Sequence, residues 1–167
     1  NDARRLPLED DTFDVVMFWK QNDSGIYGRR QDMVLQELAR SPRVGTIVHF
    51  DNPISPEALL ASYRAGRRHA ADQRRLVATE SVARVLHRRD QPGVHRHTFV
   101  FGGAYSSRLG RPHRGTYITH VRSVLAGHGI GKRPFVVWAY PSNEDLPGLI
   151  DALAPTLVVA DVVDDNR

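Results

Sequence analysis

Phe13–Arg30 reads FDVVMFWKQNDSGIYGRR. Val15-Val16-Met17-Phe18 is a continuous apolar run of strand length, and a polar stretch follows over Lys20–Ser24. Gly25-Ile26-Tyr27-Gly28-Arg29-Arg30 then leads into a helical pattern. A glycine-bearing loop between a strand and a helix presents free backbone N–H groups at a helix N-terminus. That arrangement binds anions, phosphate above all. Ser24 is a candidate cap, and Gly25 and Gly28 permit close backbone approach. Arg29 and Arg30 stand in the first turn, where the helix dipole disfavours a cation by a few tenths of a kcal/mol unless an anion is near. The alternative is a plain tight turn. The spacing is not GxGxxG, so no dinucleotide fingerprint is present.

Outward from this stretch, strand and helix patterns alternate. Strands are expected at Phe13–Trp19, Val44–Phe50, Thr98–Phe101, Phe135–Tyr140 and Thr156–Ala160. Helices are expected at about Tyr27–Arg40, from Pro56 to about Arg68 with Ser55 as N-cap, at Tyr117–Gly127 and at Glu144–Leu153. Within Arg74–Arg89, Leu76–Ala78 reads as a short strand and Ser81–Arg88 as a short helix. Gly102–Gly115 reads as one long loop. The apolar runs do not alternate with polar residues, so the strands are buried on both faces. These features predict an α/β fold: a Rossmann-like, doubly wound, mainly parallel sheet of five to seven strands with helices on both faces and Phe13–Trp19 central. Ligands in such sheets bind beyond the C-terminal strand ends.

The chain has 167 residues, 41% of them hydrophobic and 25% charged, with no Cys. A domain of this size buries about 70% of the surface of its unfolded chain. No apolar run approaches the roughly 20 residues of a membrane span. The absence of Cys removes disulfides and thiolate metal sites. The net charge of +4 is unevenly spread. Residues 61–97 are rich in Arg against only Asp72, Glu80 and Asp90, while the stretch from Asn143 is acidic. A basic middle suits an anionic lipid surface, nucleic acid or a phosphorylated ligand, and equally an Arg-rich solvated helix face. No nucleic-acid recognition motif accompanies it, and none is expected to bind there. With no initiator Met and an end soon after a strand pattern, the chain is expected to belong to a larger protein.

The remaining motifs divide between ligand and structural readings. His49, Asp51 and Asn52 close the second strand and are expected at the ligand edge, or in an Asx turn into Pro53. Asp161, Asp164 and Asp165 follow the last strand, either as a carboxylate site or as an acidic exit. Ala126–Lys132, AGHGIGK, departs from a phosphate loop and reads as a helix stop. His95 and His97 lack a third ligand at useful spacing, so no metal is expected. His113, His120 and His128 read as surface residues.

FDVVMFWKQNDSGIYGRRQDMV (residues 13–34), VGTIVHFDNPIS (44–55) and PFVVWAYPSNEDLPGLIDALAPTLVVADVVDD (134–165) together resemble the N-terminal half of bacterial GT-B glycosyltransferases of the group-one type. These enzymes build cell-surface polysaccharides from nucleotide-sugars. The resemblance lies outside the Arg-rich middle. It implies that residues 1–12 are an extension and residues 13–167 an acceptor-side domain, facing a donor domain that this chain lacks. It further implies transfer of a sugar from a nucleoside-diphosphate sugar, a co-substrate and not a cofactor, to a hydroxyl acceptor, which in the resembled family is often lipid-linked. The expected location is the cytoplasm, at the inner face of the membrane. Carried onto this chain, Ser24, Gly25, Tyr27, Gly28, Arg29 and Arg30 lie near the donor phosphates. Asp51, Asn52, Gly102, Gly103, Tyr140 and Asp161 line the acceptor side. The family's base has no clear match; Asp164 or Asp165 is expected in that role, with His120 behind them. The competing reading is a stand-alone, non-enzymatic α/β nucleotide-binding or regulatory module.

Overall fold

The computed structural model describes residues 12–20, 30–51, 53, 55, 93–102, 113–140 and 145–161. In chain order they form β1 (Phe13–Lys20), α1 (Arg30–Arg40), β2 (Val44–Asp51), β3 (Val94–His97), α2 (Arg114–Gly127), β4 (Phe135–Ala139), α3 (Leu146–Leu153) and β5 (Leu157–Ala160). The strands make one sheet in the order β3-β2-β1-β4-β5, and every pairing is parallel. β1 is the middle strand, as its uninterrupted apolar run predicts.

Alternation along the strands splits the core in two. Val16 and Phe18 of β1, Val48 and Phe50 of β2, and Val137 and Ala139 of β4 pack against Tyr117, Val121 and Leu125 of α2 and Leu146 and Leu149 of α3. Phe18 and Phe50 stack with ring centroids 5.0 Å apart and planes 10° from parallel. On the other face, Val15, Met17, Ile47, Val94 and Tyr140 pack with Leu35, Val34 and Leu38 of α1. Those three helix residues fall on one stripe of a 3.6-residue period. Helices therefore cover both faces of a parallel sheet, the arrangement that strands buried on both sides require.

α2 ends in a Schellman motif. The N–H of Ile130 donates to the Leu125 carbonyl at 2.9 Å and that of Gly129 to Ala126 at 3.0 Å, with Gly129 left-handed at φ 72°. AGHGIGK is thus a helix stop, as its departures from a phosphate loop suggested.

Two expected boundaries move. The strand placed at Thr98–Phe101 lies at Val94–His97. Val94 pairs with Ile47 and is 1% exposed, so one buried anchor outweighs the β-propensity of Phe99-Val100-Phe101. The loop expected to run to Gly115 ends earlier, because α2 begins at Arg114. The expected elements within residues 56–92, and residues 27–29 of the first helix, lie outside the described residues.

Candidate functional site at the carboxyl edge of the sheet

Because all five strands are parallel, their C-terminal ends open on one edge. From β1 the chain passes through α1 to β2 on one side, and β4 lies against β1 on the other. The strand order reverses between β1 and β4. At such a switch point the connections leave in opposite directions, and a crevice forms between them. Backbone bonds continue the parallel pairing just past the strand ends: the Tyr140 N–H donates to the Phe18 carbonyl at 2.7 Å, and the Asp161 N–H to the Ala139 carbonyl at 2.9 Å.

Four expected site residues are described around this edge. Asp51 is the last residue of β2 and is 4% exposed. Its Oδ2 accepts a hydrogen bond of 2.8 Å from the Thr98 hydroxyl, just beyond β3. Gly102 follows Phe101 and is half-buried. Tyr140 directly follows β4 and is 3% exposed; Asp161 directly follows β5 and is 5% exposed. Topology thus brings Asp51, Tyr140 and Asp161 to the same edge from three different strands. They are set into the protein at that edge and do not stand out from it as a wet rim. Arg30 is the first residue of α1, which begins ten residues after the end of β1. Ser24, Gly25, Tyr27, Gly28, Arg29, Asn52, Gly103, Asp164 and Asp165 lie outside the described residues.

Three histidine expectations are corrected, those for His49, His128 and His120. His49 is 2% exposed and sits within β2, in register with Met17 and Arg96. It belongs to the sheet interior and not to the ligand edge, because it is two residues short of the strand end. His128 is not an isolated surface residue. The parallel crossover returns it to β3, where its Nε2 lies 2.8 Å from His97 Nε2 and its ring stacks on His95 at 4.2 Å. Nothing in the local sequence signals this meeting. Among the described residues, no group of three or more His, Cys, Asp or Glu could hold a metal ion.

His120, on α2, lies in a ring of aromatics: Phe99 at 4.6 Å, and Phe50 and Tyr117 each at 6.5 Å. Its buried Nε2 meets no hydrogen-bond partner among the described residues. Burial pushes its proton affinity below that of an ordinary histidine, so the ring is neutral at physiological pH. A neutral imidazole with a bare nitrogen can accept a hydrogen bond or a proton, provided a donor reaches it.

No family model, no curated protein and no solved structure matches this chain. No described helix is long and apolar enough to cross a membrane.

Proposed function

We propose that this chain is the acceptor-side half of a glycosyltransferase that moves a sugar from a nucleoside-diphosphate sugar to a hydroxyl. The supporting observation is connectivity. SGIYGRR follows the middle strand, β1, in the sequence, and the strand order reverses beside β1. The leaving nucleoside diphosphate gains negative charge in the transition state. Backbone N–H groups of Gly25–Gly28 and the charges of Arg29 and Arg30 offset that charge without a metal. Asp161 directly follows β5, and Asp164 and Asp165 come next in the sequence; in this reading these carboxylates serve the acceptor hydroxyl, with Asp164 or Asp165 as base. The lipid-linked acceptor and the membrane's inner face belong to the same proposal.

Transfer by the whole gene product tests it. Release of nucleoside diphosphate from nucleotide-sugars in the presence of hydroxyl acceptors is the expected result. Gly25→Val blocks backbone approach and cuts transfer while leaving the fold intact. Asp164→Asn and Asp165→Asn lower turnover without changing nucleotide affinity. The 167-residue chain alone is expected to show none. Transfer by this chain alone overturns the half-enzyme reading. A second reading, a binding module without catalysis, is favoured by the burial of Asp51 and its commitment to Thr98. Nucleotide binding by the whole gene product without turnover identifies that case.

A further inference from the structure

We propose that His97 and His128 form a proton-sharing pair that fastens β3 to the end of α2 and releases it in acid. β3 is the outermost strand on its side of the described sheet, bonded there to β2 alone. The Nε2 atoms of His97 and His128 lie 2.8 Å apart. At that separation one nitrogen must carry the hydrogen and the other must offer its lone pair. Two N–H groups cannot face each other across the gap. The contact therefore holds while one Nε2 is bare, whether the pair is neutral or carries a single positive charge. In the charged form the bond is charge-assisted and stronger. A second proton leaves no lone pair between the two Nε2 atoms and sets two cations against each other.

The surroundings favour the first proton and oppose the second. His128 caps the C-terminus of α2, where the helix dipole favours one cation. His95 stacks on His128 at 4.2 Å with planes 26° apart, adding a third imidazole. From α2, His120 touches the same Phe50 ring that His97 meets at 6.0 Å. From the turn after α2, the Lys132 side chain runs beside Gly129 and contributes a fixed positive charge. Arg96 is placed by strand alternation on the opposite face of the sheet. The described acid at this end of β2 is Asp51, held by the Thr98 hydroxyl. Thr98 directly follows His97, so release of β3 acts on the residue that holds Asp51 at the candidate site.

The test is a proton NMR titration of the full chain between pH 8 and pH 5, following the Cε1–H signals of His97 and His128. Coupled groups share macroscopic steps. Both signals are expected to report the same two separated steps. His128→Phe keeps a ring to stack on His95 and removes the nitrogen; His97 should then titrate in one step. His97→Phe gives the reciprocal result for His128. Independent single steps for the two residues in the wild-type protein overturn the proposal, and that reading needs no variant to fold. Loss of the splitting in either variant, with the fold intact, supports it.

Discussion

Arg133 places its guanidinium 2.7 Å from Asp14 Oδ1, at the opposite edge of the sheet from the candidate site. Asp14 is 1% exposed, and the same oxygen accepts the Thr46 N–H at 2.8 Å. The turn after α2 is thereby tied to the start of β1 and to β2. Arg133→Ala leaves a buried carboxylate with one partner fewer. The expected loss is about 1–3 kcal/mol, toward the lower end because the guanidinium is partly in water. A Cβ on Gly45 would clash with the Arg133 guanidinium, so Gly45→Ala should displace that group and cost less, since the side chain can shift. Its hydrogen bond to Asp14, with the attraction between the charges, raises the Arg133 proton affinity. The sign of that shift keeps the guanidinium charged even further into alkaline solution than an ordinary arginine, so the effect should be constant from pH 6 to pH 9. Urea midpoints of both variants across that range check this.

Thr98→Val preserves shape and removes the hydroxyl that donates to Asp51. A hydrogen bond to a charged acceptor contributes about 1.5–3 kcal/mol. The expected outcome is a loss in that range by denaturant unfolding, with Thr98→Ser restoring most of it. A Val variant as stable as wild type would show that the Asp51 carboxylate finds another donor.

His120→Phe tests the buried imidazole. Its folded proton affinity is lowered by burial, so the unfolded chain binds the proton more readily. The stability it contributes is complete above about pH 6.5 and is lost as pH falls below that value. Phe fits an aromatic surround and cannot titrate. The variant should match or exceed wild type at pH 7.5 and lose less between pH 7.5 and pH 5. Equal slopes for the two proteins would remove His120 from the acid response.

Ala154 closes α3 in the left-handed region, at φ 48°, where a Cβ costs roughly 1–2 kcal/mol. Its N–H donates to Ile150, a bond that glycine keeps. Ala154→Gly should therefore stabilise the protein by up to about 1 kcal/mol, after the extra chain entropy that glycine loses on folding. A thermal melt of the two proteins decides it.

The sheet was legible because its strands carry their own signal: the apolar runs at Phe13–Trp19, Val44–Phe50 and Phe135–Tyr140 required burial on both faces. β3 was misplaced because Val94-His95-Arg96-His97 hides its alternation. Only Val94 is apolar, and its face is recognisable once Ile47 lies beside it. At the site, Asp51, Tyr140 and Asp161 were legible from their positions at strand ends, since parallel topology carries every strand end to one edge. Contacts between side chains distant in sequence were not legible. Thr98 with Asp51, Arg133 with Asp14 and His128 with His97 all depend on crossovers that bring remote segments together, and no local pattern encodes them.

The central position of β1 also sets an order of assembly. Its partner β2 is the next strand along the chain, joined through α1, whereas β4 pairs Val136 with Val15 from far along the sequence. Closing that second pairing spans a much longer stretch of chain and costs about 1 kcal/mol more chain entropy than the first. The β1–α1–β2 unit is therefore the template that forms early, and the docking of β4 onto the free side of β1 is the slow step expected of non-local parallel pairing. Until β4 arrives, that side of β1 is an unprotected strand edge made of Val15, Val16, Met17 and Phe18. Arg133, the residue before the Pro134 that leads into β4, fastens the strand once it has docked. Its removal should speed unfolding more than it slows folding.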